Sequence, residues 1–145
     1  MIKNKKIKIL TKSQKETKKF AESLGKNAKK TSGVFALIGD LGAGKTTFAQ
    51  GFSLGLGIKE KIISPTFVLI KEHILPNSNK TFYHIDLYRL EGEIDIIGTG
   101  LKEIIESGNV VLIEWADKIK DKLPINTTVI NIEIKDAQTR LIEVS

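Results

Sequence analysis

The 145-residue sequence predicts an α/β fold, in which a mixed β-sheet is flanked by helices and extended by antiparallel hairpins. Residues 34–38 and 110–113 are continuously apolar, which is typical of strands buried on both faces of a parallel sheet. Strand and helix patterns alternate in the first half of the chain, and hairpin patterns follow. The length and the 41% of apolar residues suit one domain, predicted to span residues 1–145.

The first elements are predicted to be a short strand and an amphipathic helix. Residues 6–11 have the strand pattern, and Ser13 follows as an N-cap with Glu16 three residues later, the spacing of a capping box. Apolar and small residues then recur on one helical face, at Thr17, Phe20, Ala21, Leu24 and Ala28. The segment 31–33, Thr-Ser-Gly, is expected to end this helix.

The central part of the chain contains a second helix and two strands. The helix is predicted from about Lys45 to Leu54, with the glycine-rich segment 55–57 closing it. Strands are predicted at 67–75 and 81–85, joined by a turn, and a broken helix at 94–106.

The last strands are predicted to form a hairpin. Residues 128–134 and 139–144 have strand patterns on either side of Asp136–Ala137. A hairpin requires antiparallel neighbours, whereas the buried apolar runs favour parallel ones. The sheet is therefore expected to contain both strand directions.

The composition excludes several kinds of site. The chain has no cysteine, which excludes disulfides, thiolate zinc sites and cysteine nucleophiles. Its two histidines lack the spacing of a paired-ligand metal site. No apolar run approaches the about 18–20 residues of a membrane span, and the basic start lacks a signal-peptide pattern. A cytoplasmic protein without membrane contact is expected.

The charge is concentrated near the beginning of the chain. Residues 1–30 hold eleven lysines and two glutamates, a net charge of +9, whereas the remainder carries −3. Such a segment is suited to nucleic acid or to an acidic protein. However, 21 of the 23 basic residues are lysine, while specific phosphate and base recognition favours arginine. A solvated surface is the preferred interpretation, and direct tRNA contact stays open.

A phosphate-binding motif follows the first apolar run. Residues 39–46 match G-x-x-x-x-G-K-[ST] at every position, and the residues predicted to surround the nucleotide are Gly39, Asp40, Leu41, Gly42, Ala43, Gly44, Lys45, Thr46 and Thr47. The glycines allow backbone N–H groups to converge on an anion, and the following helix adds its positive N-terminus. Lys45 is expected to bind the β- and γ-phosphates and the Thr46 hydroxyl to bind Mg²⁺. The motif predicts a P-loop NTPase-type domain.

Two acidic residues lie where strands are predicted to end. Asp86 follows the strand 81–85, and Glu114 follows the run 110–113. A P-loop needs a carboxylate that holds Mg²⁺ or orients water, and ligands of α/β sheets bind at the carboxyl ends of strands. A turn or cap role is the alternative for Asp86. Asp40 would repel phosphates if it pointed inward, so an outward position or proton acceptance from water is expected.

Further candidates flank these strands. The segment Ser64-Pro65-Thr66-Phe67 offers two hydroxyls that suit a γ-phosphate sensor, with an ordinary strand-entry turn as the alternative. Trp115 suits either a cover over the site or core packing. His84 is expected to be a half-buried strand residue rather than a base.

Features that the sequence lacks indicate which nucleotide the protein binds and which reaction it catalyses. There is no Asn-Lys-x-Asp segment of the kind that reads guanine, so adenine is favoured. Only Arg89 and Arg140 are present, which argues against the arginine-rich lid of a small-molecule kinase. Hydrolysis coupled to a conformational switch is favoured over phosphoryl transfer. A nucleotide-dependent binding module without catalysis is the alternative.

Four segments in order resemble the bacterial P-loop ATPases of tRNA threonylcarbamoyladenosine biosynthesis, the TsaE (or YjeE) family: residues 37–47, 64–67, 84–90 and 113–117. The resemblance covers nearly the whole chain. It implies one α/β domain that binds ATP and Mg²⁺ and has weak ATPase activity alone. It also implies assembly with the two other proteins of the tRNA threonylcarbamoyl-transfer complex. ATP hydrolysis would reset that complex between turnovers, and the protein would act on tRNA only indirectly.

The resemblance also assigns roles by position. It implies that Lys45 binds phosphates, that Thr46 and Glu114 hold Mg²⁺, and that Asp86 positions or activates water. It further implies a switch formed by Ser64 and Thr66 and a place beside the nucleotide for Trp115.

The adenine pocket has no motif of its own. The segment 13–17 and Arg140 in the closing hairpin are the candidates. Ala116, where the family often has proline, and the segment 91–100 depart from the family pattern. These departures bear on local shape and on the partner surface rather than on catalysis.

Overall fold

A computed structural model describes residues 6–60, 70–89 and 100–145. Its strands are β1 (Ile7–Thr11), β2 (Gly33–Gly39), β3 (Ile70–Ile74), β4 (Thr81–Asp86), β5 (Val110–Glu114), β6 (Thr128–Ile134) and β7 (Arg140–Val144). Its helices are α1 (Gln14–Thr31), α2 (Lys45–Gly55), α3 (Leu101–Ile105) and a 3₁₀ helix (Ala116–Lys122).

The seven strands form one sheet in the order β1-β7-β6-β2-β5-β4-β3. β2 lies in the middle and runs parallel to β5 and β6, and β4 runs parallel to β5. The β3–β4 and β6–β7 hairpins and the β1–β7 pair are antiparallel. The predicted mixed α/β sheet is therefore confirmed. The beginning of the predicted strand at 67–75 and residues 94–99 of the predicted broken helix at 94–106 lie outside the described residues, and α3 occupies Leu101–Ile105 within the remainder of that helix.

The apolar character of β2 follows from burial on both faces. Phe35 and Leu37 pack beneath α1 and α2, whereas Val34 and Ala36 pack with α3 and the 3₁₀ helix on the opposite face. Successive side chains of a strand point to opposite faces, so a strand covered on both sides needs apolar residues at every position.

α1 begins at the predicted cap. The Ser13 hydroxyl accepts a hydrogen bond from the Glu16 amide at 3.1 Å. The Glu16 carboxylate in turn accepts from the Lys12 amide at 2.7 Å, one residue before the position that the capping box predicts. None of the helices in the described part of the chain has the length and apolarity needed to cross a membrane.

Glycines bring the backbones of α1 and α2 into direct contact. A Cβ atom at Gly51 would overlap the carbonyl oxygen of Lys18, and one at Gly55 would overlap that of Glu22. Gly25 makes the reciprocal approach from α1 to the Phe52 carbonyl. This close packing holds α2 against α1 and thereby fixes the position of the loop that precedes α2.

Candidate active site

The phosphate-binding motif forms a tight turn between β2 and α2. Gly42 and Gly44 have φ values of 83° and 102°, in the left-handed region that side chains disfavour. The Ala43 amide donates to the Asp40 carbonyl at 3.0 Å and closes the turn. α2 begins at Lys45 without a side-chain cap, so its N-terminal amides face the loop. The turn and the helix N-terminus together form an anion-binding geometry.

A cavity of about 300 Å³ lies beside this loop. It is lined by Leu41, Gly42, Gly44, Lys45, Thr46, Thr47, Asp86, Tyr88, Glu114 and Trp115. Gly39, Asp40 and Ala43 belong to the loop but do not line this cavity. The structure thus brings together the P-loop lysine, the candidate magnesium ligands and the candidate water-orienting acid.

The two acidic residues meet because their strands are parallel and adjacent. Asp86 lies directly opposite Glu114 in the register of β4 and β5, and Glu114 lies opposite Leu37 of β2. Burial raises the pKa of the Asp86 carboxyl, and the nearby charge of Glu114 raises this pKa further. Asp86 Oδ1 also accepts a hydrogen bond from the Tyr88 amide at 2.9 Å.

His84 is a site residue that sequence reasoning missed. Its Nε2 lies 2.6 Å from Oε2 of Glu114, and both side chains are buried. His84 lies in a strand as predicted, but it is fully buried rather than half-buried because β4 is covered on this face. Alternation along β4 places His84 on the same face as Asp86, and this period-two spacing was the available signal.

Lys45 is surrounded by polar and aromatic groups of the site. Its ammonium donates to the carbonyl oxygens of Gly39 and of Asp40, the latter at 2.8 Å. The ammonium also lies 3.9 Å from the centroid of the Trp115 ring, a cation–π distance. Burial lowers the pKa of Lys45, and the charge of Glu114 opposes this lowering.

Trp115 combines the two roles that the sequence left open. Its ring lines the cavity and packs at 5.1 Å from the Tyr88 ring, while part of it contacts the core cluster on the α3 face. Its backbone is left-handed, with φ 61°, although it is not glycine. The Trp115 amide donates to the Leu37 carbonyl at 3.1 Å, which fixes this turn at the end of β5.

A smaller cavity of about 110 Å³ lies on the other side of the P-loop. It is lined by Ser13, Gln14, Thr17, Gly42, Ala43, Gly44, Thr47, Ala137, Gln138 and Arg140. The structure therefore brings together the segment 13–17 and Arg140, the sequence candidates for the adenine pocket. Ala137 and Gln138 were missed, because nothing in the sequence of a hairpin turn signals that it faces a loop 95 residues earlier.

The donor set of the larger cavity suits Mg²⁺. Thr46 offers a hydroxyl and Glu114 a carboxylate, and Mg²⁺ commonly takes few protein oxygens together with phosphate oxygens and water. Within residues 6–60, 70–89 and 100–145 there is no cluster of three or more acidic or histidine side chains placed to hold a metal by themselves. The switch candidates Ser64 and Thr66 lie outside the described residues.

Comparison with protein families gives one match over most of the chain. The family model described as threonylcarbamoyl adenosine biosynthesis protein TsaE matches residues 11–142. TsaE of Bacillus subtilis is 44% identical over 123 residues, which are 83% of this chain and 73% of that protein. TsaE of Treponema pallidum is 34% identical over 128 residues, 88% of this chain and 92% of that protein.

A solved structure has the same fold. The crystal structure of YdiB from Bacillus subtilis matches with a TM-score of 0.77 and 37% sequence identity. The match covers 97% of this chain and 84% of that one. A further relative, TsaE of Rickettsia bellii, is 39% identical over 134 residues, 92% of this chain and 90% of that protein.

Proposed function

This chain belongs to the TsaE family, and we propose that it is a Mg²⁺-dependent ATPase that serves the threonylcarbamoyladenosine modification of tRNA. Its hydrolysis is weak alone, is stimulated by the two other proteins of the threonylcarbamoyl-transfer complex, and resets that complex. The observation that carries the proposal is the larger cavity, where Lys45, Asp86 and Glu114 converge beside a P-loop turn.

Phosphate binding is the task of the loop and of Lys45. The loop amides and the N-terminus of α2 attract the negative charge of a triphosphate. The Lys45 ammonium exchanges the carbonyls of Gly39 and Asp40 for β- and γ-phosphate oxygens. Although burial lowers the pKa of Lys45, the phosphate charge keeps the ammonium protonated in the complex.

Metal binding falls to Thr46 and Glu114. Mg²⁺ held there would supply positive charge to neutralise the charge that develops on the phosphate oxygens. The Thr46 hydroxyl and the Glu114 carboxylate would hold the ion together with phosphate oxygens. The 2.6 Å contact with His84 Nε2 orients the Glu114 carboxylate, because a buried carboxylate held at one oxygen loses its rotational freedom.

Asp86 acts on the attacking water. Because burial raises the pKa of this carboxyl, it is a better proton acceptor than an exposed aspartate. Water oxygen forms a bond to the γ-phosphorus, the bond from that phosphorus to the β–γ bridging oxygen breaks, and a proton passes from the water to Asp86. The products are ADP and inorganic phosphate.

The smaller cavity is the proposed adenine site. Gln14 and Gln138 each offer an amide donor and acceptor, which suits the edge of an adenine base. Gly42 and Gly44 line both cavities. A nucleotide whose adenine lies in the smaller cavity can therefore place its phosphates in the larger one.

Phosphate release by the wild type and by Glu114→Ala tests the activity. We expect Mg²⁺-dependent release by the wild type, at least a tenfold slower rate for Glu114→Ala, and similar ATP affinity for both. Equal rates would refute the ATPase assignment.

Adding the two partner proteins should raise the wild-type rate, and an unchanged rate would refute the link to the complex. Phosphate found on an added nucleoside instead of in solution would indicate a kinase.

One observation favours the alternative of a binding module without catalysis. Lys15, Lys19 and Lys26 are exposed on α1, in the strongly basic part of the chain. If they contact RNA, the protein alone should bind tRNA with a steep salt dependence that is lost when these lysines are changed to glutamine. Such binding without phosphate release would favour the module over the ATPase.

A further inference from the structure

The side chain of Arg140, at the beginning of β7, joins the C-terminal hairpin to the middle of the P-loop. Arg140 Nε donates to the Ala43 carbonyl at 2.9 Å, and Nη2 donates to the Gly42 carbonyl at 3.2 Å. The P-loop and Arg140 are almost one hundred residues apart in the chain, so only the folded sheet brings them into contact.

The other side of the guanidinium is held by the hairpin itself. Arg140 Nη1 donates to the carbonyls of Asp136 and Thr139 at 2.9 and 3.0 Å. Asp136 Oδ1 accepts from the amides of Gln138 and Thr139 at 3.0 and 2.9 Å, which orders the turn that carries these carbonyls. Arg140 is thus fixed at both ends by backbone oxygens.

These contacts determine the direction of two peptide groups of the P-loop. In a trans peptide the carbonyl and the following N–H point in opposite directions. Holding the Gly42 and Ala43 carbonyls on Arg140 therefore turns the N–H groups of Ala43 and Gly44 away from Arg140. The Ala43 N–H closes the turn on Asp40. Arg140 lines the smaller cavity, and Gly44 lines both cavities, so a Gly44 N–H that points away from Arg140 is directed toward the larger cavity.

We propose that Arg140 is a positioning residue for phosphate binding, which fixes the P-loop peptides through their carbonyls instead of contacting the base. The inference rests on the proposed function, because it assigns a role within nucleotide binding. The planar guanidinium suits this role, since its N–H groups diverge and can join the two segments. A lysine ammonium carries the same charge but lacks this fork.

Mg²⁺-tripolyphosphate distinguishes a role in positioning the P-loop from a contact with the base, because it carries the phosphates of ATP without the base. Calorimetry would compare its binding with that of Mg²⁺-ATP for the wild type, Arg140→Met and Arg140→Lys. We expect the Kd for both ligands to rise by the same factor, about tenfold, in both variants, as for the loss of one charge-assisted contact. KM for ATP should rise similarly while kcat stays within about threefold. Lys135→Met, which removes a positive charge from the same hairpin without a P-loop contact, should bind like the wild type.

The alternative results are distinct. Weaker binding of ATP alone would overturn the proposal in favour of a base contact, and wild-type affinity in Arg140→Lys would show that charge alone matters. Circular dichroism melting checks that the variants fold, and Arg140→Lys decides if Arg140→Met does not. A wild type that binds neither ligand would refute the proposed function and this inference with it, whereas normal binding by all variants would refute only the inference.

Discussion

The two cavities, which share Gly42, Gly44 and Thr47 as lining residues, differ in chemistry. The larger one contains titratable side chains from the ends of β4, β5 and the P-loop, and two of them have shifted pKa values. The smaller one offers hydroxyls, amides and a guanidinium that is already bound to carbonyls. The larger cavity therefore suits charge neutralisation and proton transfer. The smaller cavity suits recognition of a ligand by its shape and hydrogen bonds. Substitutions on the two sides should therefore have different kinetic signatures.

The largest effect is expected from Lys45→Ala. This change removes the cation proposed to bind the β- and γ-phosphates, so ATP affinity should fall about a hundredfold or more. Calorimetry measures the change. Lys102→Ala removes an exposed lysine of α3 and is the control. An ATP affinity within threefold of the wild type would contradict the phosphate role of the larger cavity.

Asp86→Asn should have the next largest effect, on turnover rather than on binding. The amide cannot accept the proton from water, so kcat should fall about a hundredfold or more while Kd for ATP changes little. Steady-state phosphate release and calorimetry on the same preparation give both values. A variant that loses affinity and keeps kcat would place Asp86 among the binding groups.

Asp86→Asn, which should lower kcat, is expected to raise the stability of the fold. Folding raises the pKa of Asp86, so its ionised form is less stable in the folded protein than in the unfolded chain. This carboxyl therefore lowers the free energy of unfolding as the pH rises from below its unfolded pKa to above its folded pKa. Asp86→Asn should raise the unfolding midpoint at pH 7.5, and the gain should disappear in acid, where Asp86 is protonated in both states. An equal gain at both pH values would exclude this cause.

His84→Leu should have an intermediate effect, which is limited to the affinity for Mg²⁺. Loss of the contact with Glu114 Oε2 should raise the Mg²⁺ concentration needed for half-maximal activity about tenfold, as for other residues that orient metal ligands. His73→Leu is the matched control. The rings of His73 and His84 stack on Phe82 at 6.1 and 6.3 Å, but it is His84 that contacts the Glu114 carboxylate. Equal shifts in the two variants would indicate a packing effect.

The smallest effect is expected from Gln138→Ala in the smaller cavity. Loss of one hydrogen bond to the base should raise Kd for ATP about three- to tenfold and leave Kd for tripolyphosphate unchanged. This pattern differs from that expected for Arg140, whose replacement should raise Kd for both ligands. If kcat falls as far as in Asp86→Asn, the division of tasks between the cavities is wrong.

Much of the fold and of the larger cavity followed from local patterns. The apolar run at 34–38, the P-loop and the strand-end position of Glu114 each concern a few consecutive residues, and all were placed as predicted. His84 was misjudged because its burial depends on what covers β4. Its contact with Glu114 depends on the pairing of β4 with β5, which no single segment encodes.

The sequence by itself determined the P-loop turn, the cap of α1 and the apolar strands, because backbone conformation and burial pattern depend on neighbouring residues. Only the tertiary structure decided that Arg140 would hold the Gly42 and Ala43 carbonyls and that residues 13–17 would face Gln138. These contacts join distant segments, and their partners are set by strand order and register. The main residues of the larger cavity could therefore be predicted from the sequence, whereas the smaller cavity depends on contacts that only the fold creates.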